Sequence, residues 1–264
     1  MKVWVAAFLL FVALAVAIYF LLFFKTKESR LTGSSMAERV ELKTKDSILI
    51  VGDYYPPPAP PAGGAGGGSA KGLLLLHMMP ATRTSWKSFA EKIQRAGWQV
   101  LSTDLRGHGE STGGPDGYRS FSDEEHQASR HDVEAGVEFL KSKGVSDLYL
   151  GGASIGANLA LQYLADPGPV VKAAFLLSPG LDYRGVKTED AARNLKPGQV
   201  VFYAASRDDA YSAETIQALF DATPAGVKKE MKFFENAGHG TTIFEKEPQF
   251  MDEIVLWLQK VVNN

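Results

Sequence analysis

The sequence predicts an α/β protein, a mostly parallel central sheet covered by helices on both faces, preceded by one membrane-spanning helix. Three observations carry this expectation. Short apolar runs alternate along the chain with stretches of helical periodicity. Hydrophobic residues make up 45% of 264, enough for one large core and too many for wholesale disorder. And 22 consecutive residues near the amino end carry no charge.

That first run, VWVAAFLLFVALAVAIYFLLFF over residues 3–24, would form a helix about 33 Å long, against a hydrocarbon core of about 30 Å. Lys2 precedes it, and Lys25, Lys27 and Arg30 follow. The small-x-small triplet Ala15-Val16-Ala17 would suit a signal cleavage, but cutting there leaves IYFLLFF on the mature chain. The expectation is therefore an uncleaved single-pass anchor over 1–24, a polar linker over 25–37 and a catalytic domain over 38–264, with the membrane as a partner. Flanking basic groups lean towards a cytoplasmic domain, whereas N-terminal signal-anchors usually lead outward. The balance tips to an extracytoplasmic location.

Residues 47–51 and 72–76 read as strands, separated by the low-complexity loop PPPAPPAGGAGGG over 56–68. Residues 85–96 place Trp86, Phe89, Ala90, Ile93 and Ala96 on one helical face, and Gly97 supplies the stop. Residues 98–103 return to strand character. Ser122 and Glu125 have capping-box spacing before a helix carrying Val133, Val137 and Leu140 and ending at Gly144. Strands follow at 148–150, 173–177, 200–204 and 230–234, with helices at 155–165, 213–220 and 248–262. Such alternation implies right-handed crossovers and a ligand site at the carboxyl ends of the strands.

The chemistry enters at Gly152-Ala153-Ser154-Ile155-Gly156, a G-x-S-x-G pattern falling where a strand ends and a helix begins. A serine on so tight a turn is held at a strained angle, glycine two residues to either side clears the turn, and the helix N-terminus offers free N–H groups. A serine hydroxyl needs a base. Of five histidines, His239 in Asn236-Ala237-Gly238-His239-Gly240 lies past the last strand, in a loop at the active edge. His77 and His108 read as structural, and His126 and His131 as lying on a solvated helical face. The base in turn needs a carboxylate to fix its tautomer. Asp208 and Asp209 both follow the strand at 200–204. The order serine, aspartate, histidine is that of α/β-hydrolases.

With these residues assembled, the chain resembles the α/β-hydrolase superfamily over 38–264. Asp104-Leu105-Arg106-Gly107-His108-Gly109-Glu110-Ser111 is similar to the family's turn after the fourth strand, where Asp104 and Arg106 organise the turn. Leu76-His77-Met78-Met79-Pro80 is similar to its oxyanion strand end, with Met78 standing where the family carries glycine. The resemblance implies an α/β-hydrolase fold and a serine hydrolase acting through an acyl-serine intermediate, without metal or organic cofactor. It implies Ser154 as nucleophile, His239 as base and the backbone N–H groups of Met79 and Ile155 as oxyanion donors. The family's spacing favours Asp208 as the acid, with Asp209 as the alternative.

Only about twenty residues separate the strand at 173–177 from that at 200–204, too few for a large lid. The expected substrate is a small acyl ester, with weak preference for long acyl chains. The same triad would serve a thioesterase or serine peptidase, and a membrane-tethered binding protein on a hydrolase fold is the alternative from another class. No cysteine is present, which excludes a thiol nucleophile and a disulfide scaffold, and a net charge of −2 offers nucleic acid no general attraction. The sequence leaves oligomeric state open.

Overall fold

The computed structural model describes residues 37–58, 70–166 and 171–263. Eight strands form the main sheet: β1 (Glu38–Lys43), β2 (Leu49–Tyr55), β3 (Lys71–Leu76), β4 (Gln99–Thr103), β5 (Asp147–Ala153), β6 (Val171–Leu177), β9 (Val200–Ser206) and β10 (Lys228–Phe234), with β7 (Asp182–Tyr183) and β8 (Val186–Lys187) making a separate hairpin. The order across the sheet is β1-β2-β4-β3-β5-β6-β9-β10. β2 pairs antiparallel with both β1 and β4, and every pairing from β4 to β10 is parallel.

Period-two alternation of wholly apolar strands builds a core on each face. Leu73 and Leu75 of β3, Tyr149 of β5 and Phe175 of β6 point to one side. There they meet helix α1 (Lys87–Arg95) through Phe89 and Ile93, and the C-terminal helix through Phe250, Ile254 and Leu258. Leu74, Leu76, Leu150 and Leu176 point to the other side. After the short α2 (Asp123–Gln127), that side is covered by α3 (Arg130–Ser142), α4 (Ile155–Leu164) and, beyond α5 (Glu189–Arg193), α6 (Ala210–Ala222). The chain closes with α7 (Thr242–Lys246) and α8 (Gln249–Val262).

Three differences from expectation have local causes. β1 has the sequence ERVELK, with only Leu42 buried, so an edge strand with one core contact leaves no apolar run to read. The capping box forms as expected, Ser122 Oγ accepting from the Glu125 N–H and the Glu125 carboxylate from the Ser122 N–H. The helix it opens ends at Gln127, however. The N–H groups of Ser129, His131 and Asp132 reach back only three residues, a tightened turn that redirects the chain before α3.

The third difference concerns the membrane. The span expected over residues 3–24 lies outside the described residues, and most of the 56–68 loop does as well. Among the described residues no helix is long and apolar enough to cross a membrane. The longest, α8, has 14 residues. At 1.5 Å each it covers about 21 Å, short of the hydrocarbon thickness, and it carries Asp252, Glu253 and Lys260. The expectation of a single-pass membrane protein is corrected accordingly.

Candidate active site

Parallel register brings the carboxyl ends of β3, β5, β6, β9 and β10 to one edge. Leu76 lies beside Gly152, Ala153 beside Leu177, and Ser206 beside Phe234. Past these partners stand His77-Met78-Met79, Ser154, Ser178, Asp208-Asp209 and the loop bearing His239.

Ser154 adopts φ 54°, ψ −122° at the junction of β5 and α4. A side chain other than glycine held there is strained, and the surrounding glycines show why the strain is enforced. A Cβ on Gly152 would meet the Gly156 carbonyl oxygen at 2.3 Å, and one on Gly156 would meet the Leu76 carbonyl oxygen at 2.4 Å. The turn can therefore press directly against the end of β3. Ser154 donates its own N–H to the Leu177 carbonyl. As the first residue of α4, Ile155 carries an N–H with no intrahelical acceptor.

The histidine loop is tied down from three directions. The Ala237 N–H donates to Ser206 Oγ, the Gly238 N–H to Asp208 Oδ1 and the Gly240 N–H to Ser178 Oγ. Gly240, at φ 59°, also receives Met78, whose Sδ would lie 2.5 Å from a Cβ placed there. The methionine that departs from the family's glycine is thus accommodated by a missing side chain on the opposite loop.

His239 Nδ1 lies 2.7 Å from Asp209 Oδ2. With the proton on Nδ1 donated to that carboxylate, Nε2 carries the free lone pair. Asp209 is the N-cap of α6, its Oδ1 accepting from the Ser212 N–H at 3.4 Å. Burial pushes the Asp209 carboxyl up, but the hydrogen bonds from His239 and Ser212 outweigh it and hold the group below its ordinary value. Asp208, which the family's spacing favoured, faces solvent. Its carboxyl is lowered chiefly by the Ser206 hydroxyl, and it takes the Gly238 N–H. The structure therefore brings Asp209, and not Asp208, to the imidazole.

Tyr183 was not found from the sequence. The β7–β8 hairpin turns through Arg184 (φ 54°) and Gly185 (φ 78°) and is fixed by Tyr211 Oη, which accepts from the Asp182 N–H and donates to its carbonyl. Tyr183 is packed edge-on against the His239 ring, with centroids 6.1 Å apart, and its hydroxyl is 3.1 Å from Ser212 Oγ. Burial pushes the phenol up to about 12, against the opposing pull of the Ser212 and Ser154 hydroxyls. Tyr183 thus stands over Ser154, which is only 6% exposed. Among the described hydrogen bonds none joins Ser154 to His239, as is common before substrate closes a site. A lone Tyr-Arg-Gly between Pro179-Gly180 and Lys187 carries no periodicity; the paired turn residues were the one available signal.

Asp104 and Arg106 organise the turn after β4. The buried Asp104 carboxylate accepts from the N–H groups of Arg83 and Glu110 and from the Arg83 guanidinium. Arg106 engages Asp132 at 2.8–2.9 Å and Asp46 at 2.7 Å. His77 accepts the Leu105 N–H on Nε2, so its Nδ1–H donates to the Met78 carbonyl. This bond holds the segment leading to Met79. His126 departs from its expected solvated face: it is 3% exposed and packs edge-on to Phe121.

Comparison with known proteins agrees with this architecture. No curated protein matches the chain by sequence. Among solved structures, an esterase of Pyrococcus furiosus superposes with TM-score 0.66 at 18% identity, covering 87% of this chain and 92% of its own. An esterase from Exiguobacterium antarcticum gives 0.62 at 14%, covering 84% and 100%. A dienelactone hydrolase from Anabaena variabilis gives 0.63 at 14%, covering 85% and 96%. At such identities the likeness is one of fold. The sequence profile of the family described as alpha/beta hydrolase fold matches residues 72–208, just over half of the chain. The chain belongs to the α/β-hydrolase fold family.

Proposed function

We infer that the protein is a serine hydrolase of small carboxylic esters, with Ser154 as nucleophile, His239 as general base and Asp209 as the acid that orients it. The observation that carries this reading is the 2.7 Å contact between His239 Nδ1 and Asp209 Oδ2, beside a serine held at φ 54° on a glycine-flanked turn. Nε2 of His239 takes the Ser154 proton as Oγ attacks the ester carbonyl. The same proton then passes to the leaving alcohol as the acyl-serine forms, and a water repeats the sequence to release the acid. The N–H groups of Met79 and Ile155 stabilise the oxyanion, each donor being worth about 3 kcal/mol of barrier. Asp209, kept ionised by its bonds to His239 and to Ser212 at the helix cap, favours the imidazolium that develops.

The cover over this site is the small β7–β8 hairpin, through Tyr183, which supports short acyl groups over long ones. Turnover of 4-nitrophenyl acetate by the full chain and by Ser154→Ala tests the assignment. The variant should fall by roughly a thousandfold or more while its circular dichroism is unchanged, because only a hydroxyl is lost. A variant retaining a tenth of the activity would overturn it.

A further inference from the structure

A cleft of about 430 Å³ opens beside the oxyanion strand end, lined by Met79, Tyr118, Arg119, Phe121, His126 and Arg184 together with Pro80. Two of its walls belong to the site already described: Met79 is the proposed oxyanion donor, and Arg184 directly follows Tyr183 on the hairpin over Ser154. No carboxylate lines it. Arg119 shares its charge with Asp116 at 2.9 Å on the exposed rim. Arg184, in contrast, has no ion-pair partner among the described residues, although Asp123 packs near the neighbouring Gly185. His126 is buried against Phe121 and lines the cleft with Arg184; burial first and Arg184 second lower its proton affinity, against the opposing pull of Asp123 and Glu125. A histidine 97% removed from solvent and an exposed arginine at positive φ, neither with a hydrogen-bonding side-chain partner among the described residues, thus face the same small space. Phe121 and Tyr118 give it apolar walls on the way in.

We propose that this cleft binds a carboxylate carried by the substrate, so that the favoured esters are half-esters whose acyl chain ends in an anion. Arg184 and Arg119 meet the carboxylate and His126 donates to it, while the spacer carbons lie along Met79 and Phe121. An arginine presents parallel N–H donors matched to a carboxylate. Both arginines are exposed, so the pairing is a salt-screened one at the rim above the buried His126. This rests on the hydrolase reading above, and its test separates the two.

The full chain is assayed on 4-nitrophenyl hemisuccinate and hemiglutarate against the neutral butyrate and valerate of equal chain length. The kcat/KM ratio of anionic to neutral ester should favour the anion in the wild type. It should fall by about tenfold in Arg184→Asn, a residue that accepts the positive φ at this position, and recover only in part in Arg184→Lys, which keeps the charge but not the parallel donors. Added salt should compress the wild-type ratio but barely alter that of Arg184→Asn. An unchanged ratio in Arg184→Asn would overturn the proposal, whereas failure to hydrolyse any ester would count against the hydrolase reading alone. In that case calorimetry decides the cleft without turnover. Glutarate monoanilide should bind Ser154→Ala more tightly than valeranilide, and the difference should vanish when Arg184→Asn is added. Equal binding of the two anilides would overturn the anion site.

Discussion

Two strand-to-helix turns meet at the proposed active site, and they differ in what holds them. The turn from β5 into α4 carries Ser154 between Gly152 and Gly156, each packed so closely that a Cβ would fall 2.3–2.4 Å from a backbone oxygen. The turn from β9 into α6 carries Asp208 and Asp209 with no glycine and no such contact. In the first, sterics alone determine which residue can occupy the strained position, and steric demands leave a mark in sequence. In the second, the residue brought to the imidazole is the one that caps the helix. Asp209 gives Oδ1 to the first turn of α6 and Oδ2 to His239, while Asp208, one residue earlier, points to solvent and the Gly238 N–H. Two adjacent aspartates look alike until the direction of the helix is known.

Breaking the rigid turn should have the largest effect on the molecule. Gly156→Ala drives a methyl into the Leu76 and His77 carbonyl oxygens, at 2.4 and 2.6 Å. Overpacking of this kind costs about 1–3 kcal/mol, and here it displaces β3 and α4 together, so Met79 and Ile155 lose their common aim. The expected outcome is a lower melting temperature with turnover reduced far more than stability. A variant with wild-type melting and wild-type turnover would show that the close contact is not enforced.

A smaller effect comes from the buried imidazole beneath that contact. Burial, with His108 beside it, lowers His77 to about 4. Burial also lowers His108 and His126. A histidine whose folded value lies below the unfolded value of about 6.5 binds fewer protons when folded, so stability present above pH 6.5 is lost as the pH falls towards 4. Thermal melts at pH 7 and pH 5 should show a marked drop. His77→Gln, less stable at pH 7, should lose less over the same interval. An equal drop in both proteins would place the acid sensitivity elsewhere.

How far the sequence could be read follows from the same contrast. The sheet was legible wherever both faces of a strand are buried, as in Leu73 to Leu76, because a short apolar run bounded by turn residues suits a strand covered on both sides. β1 was not, since its buried side is Leu42 alone. Ser154 and His239 were legible from their places at strand ends. Tyr183, Arg184 and His126 were not, because they owe their positions to a six-residue hairpin and to a helix that stops at Gln127. Membership of the α/β-hydrolase family therefore came through, while the side chains around the proposed site emerged only from tertiary structure.

The most direct measurement is turnover of 4-nitrophenyl acetate by Asp209→Asn and Asp208→Asn, side by side and with folding checked by melting. If Asp209 orients His239, Asp209→Asn should lower kcat by roughly a thousandfold or more, because an amide at that place favours the wrong tautomer. Asp208→Asn, which disturbs contacts of an exposed side chain with the Ser206 hydroxyl and the Gly238 N–H, should stay within about threefold. The reverse ranking, or equal small losses in both, would contradict the pairing on which the account rests.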